Sequence, residues 1–225
     1  WRPLAAAAAG LAIGLFSASV VLGIVVQRGA EKRTPLALFE SGFENAQMPL
    51  GTGFPAGTGR WSGDAAQVVA AENGVSPKEG RFMLRMEPLS KGNPRIYQVL
   101  DLQTLPPDAS GKSREIEISA SFAAADVEVP VRYAIRAFGV TEAAENLDAA
   151  WVDRREESVV SAARGLDVTP GMTGWQTFSV KIQVPSSARS LVLLFAARTP
   201  DKTARTAPHY LDDVRATLIE RQVLP

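Results

Sequence analysis

The chain carries few of the side chains that nucleophilic or metal-assisted catalysis needs. It has one histidine, His209, and no cysteine, so a thiol nucleophile and a cysteine-ligated zinc site are excluded. A serine triad would have to use His209 as its base, and the sequence contains no Gly-x-Ser-x-Gly nucleophile elbow. We therefore predict a structural or solvent-exposed role for His209.

Two glycine-rich pieces and the acidic residues also fall short of a catalytic pattern. Gly51-Thr52-Gly53 and Gly57-Thr58-Gly59 lack the Lys-Ser/Thr pair of a phosphate-binding loop, and they are interpreted as turns. Aspartate and glutamate are spread through every predicted loop, so no pair stands out as the acid and base of a glycoside hydrolase. The sequence therefore predicts that the protein is not an enzyme.

Aromatic rings are the next candidates for a site, because Trp and Tyr faces stack on sugar rings while polar side chains hold hydroxyl groups. Trp61 lies in a glycine-rich loop and Trp151 in a charged stretch, so both are candidates for ligand contact. Core packing is the alternative for each of them. Trp175 begins a strand with apolar residues at alternate positions, and we expect it to pack at a sheet edge.

The overall composition limits the partners. The 225 residues include 24 basic and 24 acidic side chains, so there is no net positive field to attract nucleic acid. We therefore expect no nucleic-acid partner. The length suits one membrane anchor and one domain, and the missing cysteines leave the redox compartment open.

Residues 4–26 form an apolar run without a charged, amide, proline or histidine side chain. A helix of this length reaches about 34 Å, which is enough to cross a hydrocarbon core of about 30 Å. Residues 1–27 are therefore predicted to be a single-pass transmembrane anchor, and residues 28–35 a tether. The alternative is a cleaved secretory signal with a small-x-small site at residues 17–19, although the apolar run continues beyond that site.

The charges beside this run do not by themselves determine its orientation. Arg28, Lys32 and Arg33 follow it and only Arg2 precedes it, which by the positive-inside rule would place the next domain in the cytoplasm. The chain begins at Trp1 without a methionine, so we expect an upstream segment whose charges also count. Such a segment would offer a site for a cytoplasmic partner.

After Pro35 the apolar residues recur with a period of two, which is typical of β-strands with one buried face. The segments rich in β-branched and aromatic residues, which are predicted strands, are 36–43, 81–86, 96–102, 115–122, 131–140, 175–184, 190–197 and 210–219. Residues 36–221 are therefore predicted to be an all-β jelly-roll sandwich of about eight strands and one short helix. Residues 222–225 are a tail.

The predicted helix follows Trp151. It begins at Asp153, where Glu156 completes a capping-box pattern, and it ends at Gly165. Val159 and Val160 belong to its apolar stripe. We expect this helix to cover one end of a sheet.

Five short motifs occur in order along the domain: LFESGFE at 38–44, GRWSGD at 59–64, EGRFML at 79–84, GWQTF at 174–178 and HYLDDV at 209–214. Together they resemble carbohydrate-binding-module jelly rolls of the galactose-binding-like kind, over about residues 36–221. In such modules a glutamate of the opening strand and an aspartate at the start of the last strand often hold a structural calcium ion. The resemblance therefore implies Glu44 and Asp212 as calcium ligands, which suit a hard cation. The alternative is that Asp212 merely flanks its strand.

The anchor and the sandwich together also resemble bacterial membrane-bound regulators of the anti-sigma type, which have a small cytoplasmic domain, one spanning helix and a lectin-like domain outside. This resemblance implies an inner-membrane protein whose β domain is periplasmic or extracellular. We therefore predict a noncatalytic, membrane-anchored ectodomain that binds a glycan or another envelope component, as the sensory part of a transmembrane regulator would. The alternative is a structural envelope protein that acts through protein-protein contacts.

Overall fold

The computed structural model of the protein describes residues 32–45, 50–89, 93–105, 114–199 and 207–222. By its internal contacts the chain divides into two units, residues 35–219 and residues 1–34 with 220–225. The first unit contains the β-sandwich. Of the second unit the structure describes only the outer ends of the first and last strands.

The predicted transmembrane anchor, residues 1–27, lies outside the described residues, as do residues 28–31 of the predicted tether at 28–35. Residues 32–35 of the tether belong to β1. Within the described ranges, none of the helical segments is long and apolar enough to cross a membrane. The anchor therefore stays a prediction.

Twelve β-strands form two sheets in the described part of the chain. They are β1 (Lys32–Ser41), β2 (Gly51–Thr52), β3 (Ser62–Gly63), β4 (Ala66–Val69), β5 (Met83–Met86), β6 (Arg95–Asp101), β7 (Arg114–Ala124), β8 (Val131–Val140), β9 (Val160–Val168), β10 (Gln176–Val184), β11 (Ser190–Arg198) and β12 (His209–Gln222). The first sheet has the order β10-β7-β12-β5-β4 with β1 also paired to β12, and the second has the order β2-β3-β6-β11-β8-β9. The two sheets confirm the predicted all-β sandwich of the jelly-roll kind.

The main core lies between the two sheets, because alternate side chains of each central strand point into that space. In the first sheet Ile118 of β7 is paired with Val180 of β10, and both are buried. The Phe122 ring stacks on Tyr133 of the second sheet, with 4.8 Å between ring centroids, and on Phe178, at 5.4 Å. Burial of these large apolar side chains is the dominant force that holds the sheets together.

A smaller apolar cluster lies on the outward face of the second sheet. Tyr97 and Phe138 pack there against Trp151 and Phe54, with 5.3 Å between the ring centroids of Trp151 and Phe138 and 5.5 Å between those of Trp151 and Phe54. The segment between β8 and β9, which carries Trp151, is thus packed onto this face.

The helix predicted from Asp153 to Gly165 is wrong. The structure has short 3-10 turns at Ala149–Val152 and Arg155–Glu157, and β9 follows them. β9 pairs antiparallel with β8 from one end to the other. Hydrogen bonding along a whole strand, together with the strand preference of β-branched residues, therefore outweighs a local capping signal.

Each of the eight predicted strands is present and overlaps its predicted segment. Four strands were not predicted, namely β2, β3, β4 and β9. β2 and β3 have two residues each, which is too short for a periodic pattern to be recognised.

Candidate functional site

A groove of about 240 Å³ crosses the outward face of the second sheet beside the Trp151 cluster. Strands β6, β11 and β8 build its floor, where the antiparallel register sets Tyr97 beside Leu194 and sets Ala196 between Arg95 and Ala134. In the row of Arg95, Ala196 and Ala134, the two alanine methyl groups rise little above the sheet. The groove therefore forms where small side chains lie between rows of larger ones on this face.

The segment that carries Trp151 forms one side of the groove, through Trp151, Val152 and Arg155. Asp148 caps this segment, since its side chain accepts a 2.9 Å hydrogen bond from the backbone N–H of Ala150. Trp151 is 3% exposed because its ring packs on the sheet. The structure thus puts Trp151 at the groove with most of its ring in packing, and ligand contact by Trp151 stays a prediction.

Five arginines line the groove: Arg95, Arg132, Arg136, Arg155 and Arg198. Arg132 forms an ion pair with Asp167 across the β8–β9 pair, at 2.8 Å, and Arg155 lies 3.7 Å from the exposed carboxylate of Glu156. The other three guanidinium groups form no ion pair with any carboxylate of the described residues. The groove is therefore a strongly cationic surface with an apolar floor.

Sequence reasoning did not single out these arginines. Arg132 and Arg136 are four residues apart in β8, so they project from the same face of the strand, while Tyr133 and Ile135 are buried on the other. Two arginines four residues apart, on one face of an otherwise apolar strand, are the signal that could have found them.

Trp61 is a core residue. It is 2% exposed, and its ring centroid lies 5.6 Å from Phe39, 5.1 Å from Phe43 and 5.6 Å from Phe195. Trp61 does not line the groove in the part of the chain that the structure describes. The structure therefore gives Trp61 the packing role that was the alternative to ligand contact.

Asp212, one of the two predicted calcium ligands, is fully buried near the start of β12. Its carboxylate accepts hydrogen bonds from the backbone N–H groups of Lys78 at 2.7 Å, Glu79 at 3.2 Å and Asp213 at 2.7 Å. Burial raises the pKa of Asp212 to about 6, although the same N–H groups oppose this by stabilising the charged form. A β-bulge and a φ of 49° at Asp213 accompany this inward placement.

Glu44, the other predicted calcium ligand, follows β1 and binds the same loop. It accepts hydrogen bonds from the backbone N–H of Arg81, at 3.0 Å to each carboxylate oxygen, and of Phe82, at 3.2 Å. Gly80 has a φ of 62°, and a Cβ at this position would overlap the Glu44 carboxylate. Glu44 and Asp212 together therefore fasten the loop of residues 78–82 to the ends of the first and last strands.

This arrangement fits the recognition of backbone amides better than it fits calcium. Calcium takes about six to eight oxygen ligands, whereas each of the four carboxylate oxygens of Glu44 and Asp212 already accepts at least one N–H bond. Within the described ranges, no group of three or more His, Cys, Asp or Glu side chains could hold a metal ion. The calcium site stays a prediction.

His209 has the structural role that was one of its two predicted roles. It is buried against Tyr133, with 3.4 Å between His209 Nδ1 and the Tyr133 hydroxyl oxygen and an edge-to-face ring contact. Burial lowers the pKa of His209 to about 4, because the charged imidazolium loses its hydration. His209 is therefore neutral at pH 7.

No protein-family model matches the sequence, and no curated protein matches it. Among solved structures, a cyclase from Fischerella sp. TAU has 12% sequence identity and a TM-score of 0.52, and the match covers 82% of this chain and 98% of that one. At this identity the likeness shows a common fold alone.

Two structures with carbohydrate-binding modules have lower TM-scores. The CBM22-1–CBM22-2 tandem domain from Paenibacillus barcinonensis has 20% identity and a TM-score of 0.49, with 81% of this chain and 48% of that one covered. The CBM22-1–GH10 modules of a Clostridium thermocellum endo-1,4-beta-D-xylanase, complexed with xylohexaose, have 15% identity and a TM-score of 0.48, with 83% of this chain covered. This chain spans 29% of the length of the xylanase chain.

Proposed function

We propose that the β-sandwich is a noncatalytic binding domain and that its ligand, a glycan, lies in the groove on the outward face of the second sheet. The observation that carries this proposal is the composition of the groove, an apolar floor that includes Tyr97, Ala134 and Ala196 beneath a row of arginine side chains. Flat aromatic and aliphatic surface packs against the faces of sugar rings, while guanidinium groups donate hydrogen bonds to their oxygens. An open groove suits a chain that passes along the sheet.

The groove lining favours binding over proton-transfer chemistry. Its polar side-chain groups are five guanidinium groups, the Asn93 amide, the Tyr97 hydroxyl and the Trp151 indole N–H, and a guanidinium group keeps its proton at neutral pH. Because a cyclase shares the fold, the fold alone does not separate binding from catalysis. The lining supports a role in holding a ligand.

Ala196→Trp is expected to fill the groove and to reduce glycan binding at least ~10-fold. Ala196 lies on the groove floor and is only partly buried, so the larger ring would extend into the ligand's space and leave the core unchanged. The measurement is binding of the full chain, in mild detergent, to a glycan array, followed by titration of each glycan that the wild type retains.

The matched control is Lys181→Trp, which places the same ring on the outer face of the first sheet, where Lys181 is exposed. This variant should bind as the wild type does. A wild-type chain that retains no glycan on the array would contradict the proposal. Retention of an envelope protein instead, unchanged by Ala196→Trp, would favour the structural alternative.

We further propose that residues 1–27 anchor this domain in the bacterial inner membrane and that the domain is periplasmic or extracellular, as the sensory part of a transmembrane regulator. The apolar run of residues 4–26 supports the anchor, and a glycan ligand would be met outside the cytoplasm. A reporter that is active only outside the cytoplasm is expected to be active when it is fused after residue 35. Strong activity of a reporter that works only in the cytoplasm would reverse this orientation.

A further inference from the structure

The groove concentrates positive charge in a chain that is balanced overall. The whole sequence has 24 basic and 24 acidic residues, yet five arginines and no aspartate or glutamate are among the described residues that line the groove. The side chains of Arg95, Arg136 and Arg198 form no ion pair with a carboxylate of the described residues. Their charges are thus available to a ligand.

The register of the second sheet brings like charges together. Arg198 of β11 is paired directly with Arg132 of β8, and like charges at directly opposite positions of two strands repel each other. Asp167 on β9 is the ion-pair partner of Arg132, so there is one carboxylate for the guanidinium groups of Arg132 and Arg198. The Arg132–Asp167 pair is well exposed to solvent, and an exposed ion pair contributes little. An anion in the groove would relieve this repulsion.

We infer that the ligand of the groove is an anionic glycan, whose oxyanion groups bind Arg95, Arg136 and Arg198 while its sugar rings pack on the floor. The inference rests on the proposed function, since it names the class of glycan that the same groove takes. A guanidinium group presents a planar fork of N–H donors that pairs with both oxygens of a carboxylate, and it pairs in a similar way with other oxyanions. A neutral glycan would leave the three charges without a partner.

The test compares polymers that differ in charge. Full chain in mild detergent is titrated with polygalacturonate, with its methyl ester, and with dextran sulfate, which carries sulfate and no carboxylate, so the two anionic polymers separate carboxylate from sulfate as the bound group. We expect at least one of the two anionic polymers to bind ~10-fold or more tighter than the neutral ester, because charged hydrogen bonds are stronger than neutral ones. This binding should weaken between 0.05 and 0.5 M salt, roughly the range over which screening shortens the reach of a charge from about 14 to about 4 Å.

Position 136 supplies the variants. Arg136→Ala is expected to weaken binding of the anionic polymer ~10-fold, and Arg136→Lys, which keeps the charge but loses the fork, should fall between this variant and the wild type. Lys181→Ala is the charge control, since it removes one positive charge from an exposed position on the first sheet, where Lys181 lies 3.6 Å from Glu115 and 3.7 Å from Glu117. The control should bind as the wild type does.

The outcomes separate this inference from the proposed function. Equal binding of charged polymer and methyl ester, both lost in Ala196→Trp, would overturn the anionic preference and leave the groove as a glycan site. Absence of binding to any glycan would overturn both. Polyphosphate or single-stranded DNA could also bind as tightly as the anionic glycans and lose the same affinity in Arg136→Ala. This result would show a general polyanion site and would overturn the assignment to a glycan.

Discussion

Replacing Asp212 by alanine is expected to lower the free energy of unfolding by about 3–5 kcal/mol at pH 7.5. The substitution leaves the backbone N–H groups of Lys78, Glu79 and Asp213 without their acceptor, and each buried donor without a partner costs about 1–3 kcal/mol. The expected loss is less than three full penalties because water can reach part of the exposed loop that contains Lys78 and Glu79. Denaturant unfolding of the full chain measures this change.

Asp213→Asn is the matched control. Asp213 has a φ of 49°, a left-handed conformation that asparagine tolerates well, and its ion pair with Arg215 joins side chains that are 15% and 43% exposed, so the expected loss is about 1 kcal/mol. Equal losses in the two variants would show that the Asp212 carboxylate does not hold the loop as the structure indicates.

The same unfolding measurement, repeated with calcium and with a chelator, tests the predicted ion. An ion that binds only the folded state at a hundredfold excess over its Kd would stabilise it by about 2.7 kcal/mol, and Asp212→Asn should lose that response. Asparagine has one acceptor oxygen where Asp212 uses two, so this variant is also expected to be less stable without calcium. Superimposable wild-type curves with calcium and with chelator would exclude calcium and leave the amide contacts as the function of these carboxylates.

Acidification from pH 7 to pH 4 is expected to destabilise the wild type by up to about 3 kcal/mol more than it destabilises His209→Asn. The pKa of His209 is about 4 in the folded protein and about 6.5 in the unfolded chain, so the unfolded state takes up its proton first. The stability that neutral His209 contributes is fully present above pH 6.5 and is lost as the pH falls towards 4, at about 1.4 kcal/mol per pH unit.

The comparison of the two proteins isolates His209, because Asp212, whose raised pKa gives the opposite slope, is common to both. Tyr133→Phe is the control that keeps the histidine and removes its 3.4 Å hydroxyl neighbour, so it should retain the wild-type slope. Parallel pH profiles for the wild type and His209→Asn would show that His209 does not titrate out of a buried site.

Much of the fold could be predicted from local patterns. The period of two placed β8 at residues 131–140, where the structure has it, because a strand with one buried face must alternate whatever its partners are. The same reasoning failed at Asp153, where a capping pattern indicated a helix and the structure has β9 soon after it. Residues 160–168 form a strand because they pair with the free edge of β8 along its length. No short window of sequence contains both strands of this pair.

The candidate site could be predicted only in part. Trp61 and Trp151 are aromatic residues in polar stretches of the sequence, which indicates exposed rings. In the structure both rings are buried: Trp61 packs among three aromatic rings, and Trp151 packs beside the groove. Glu44 and Asp212 were selected through a family resemblance, and the structure brings both to the same loop of residues 78–82. There the two carboxylates bind backbone N–H groups. These contacts depend on the path of the loop, which the residue types do not specify.

The sequence by itself therefore determined that the domain is all-β and that these 225 residues carry no thiol, since alternation and residue inventory are local properties. The tertiary structure alone decided where a ligand could bind. Arg95, Arg136 and Arg198 come from β6, β8 and β11, about 40 to 100 residues apart along the chain, and only the pairing of these three strands puts their charges over one apolar floor. Strand alternation specifies which face a side chain takes, whereas the order and register of strands, which depend on contacts distant in sequence, specify its neighbours.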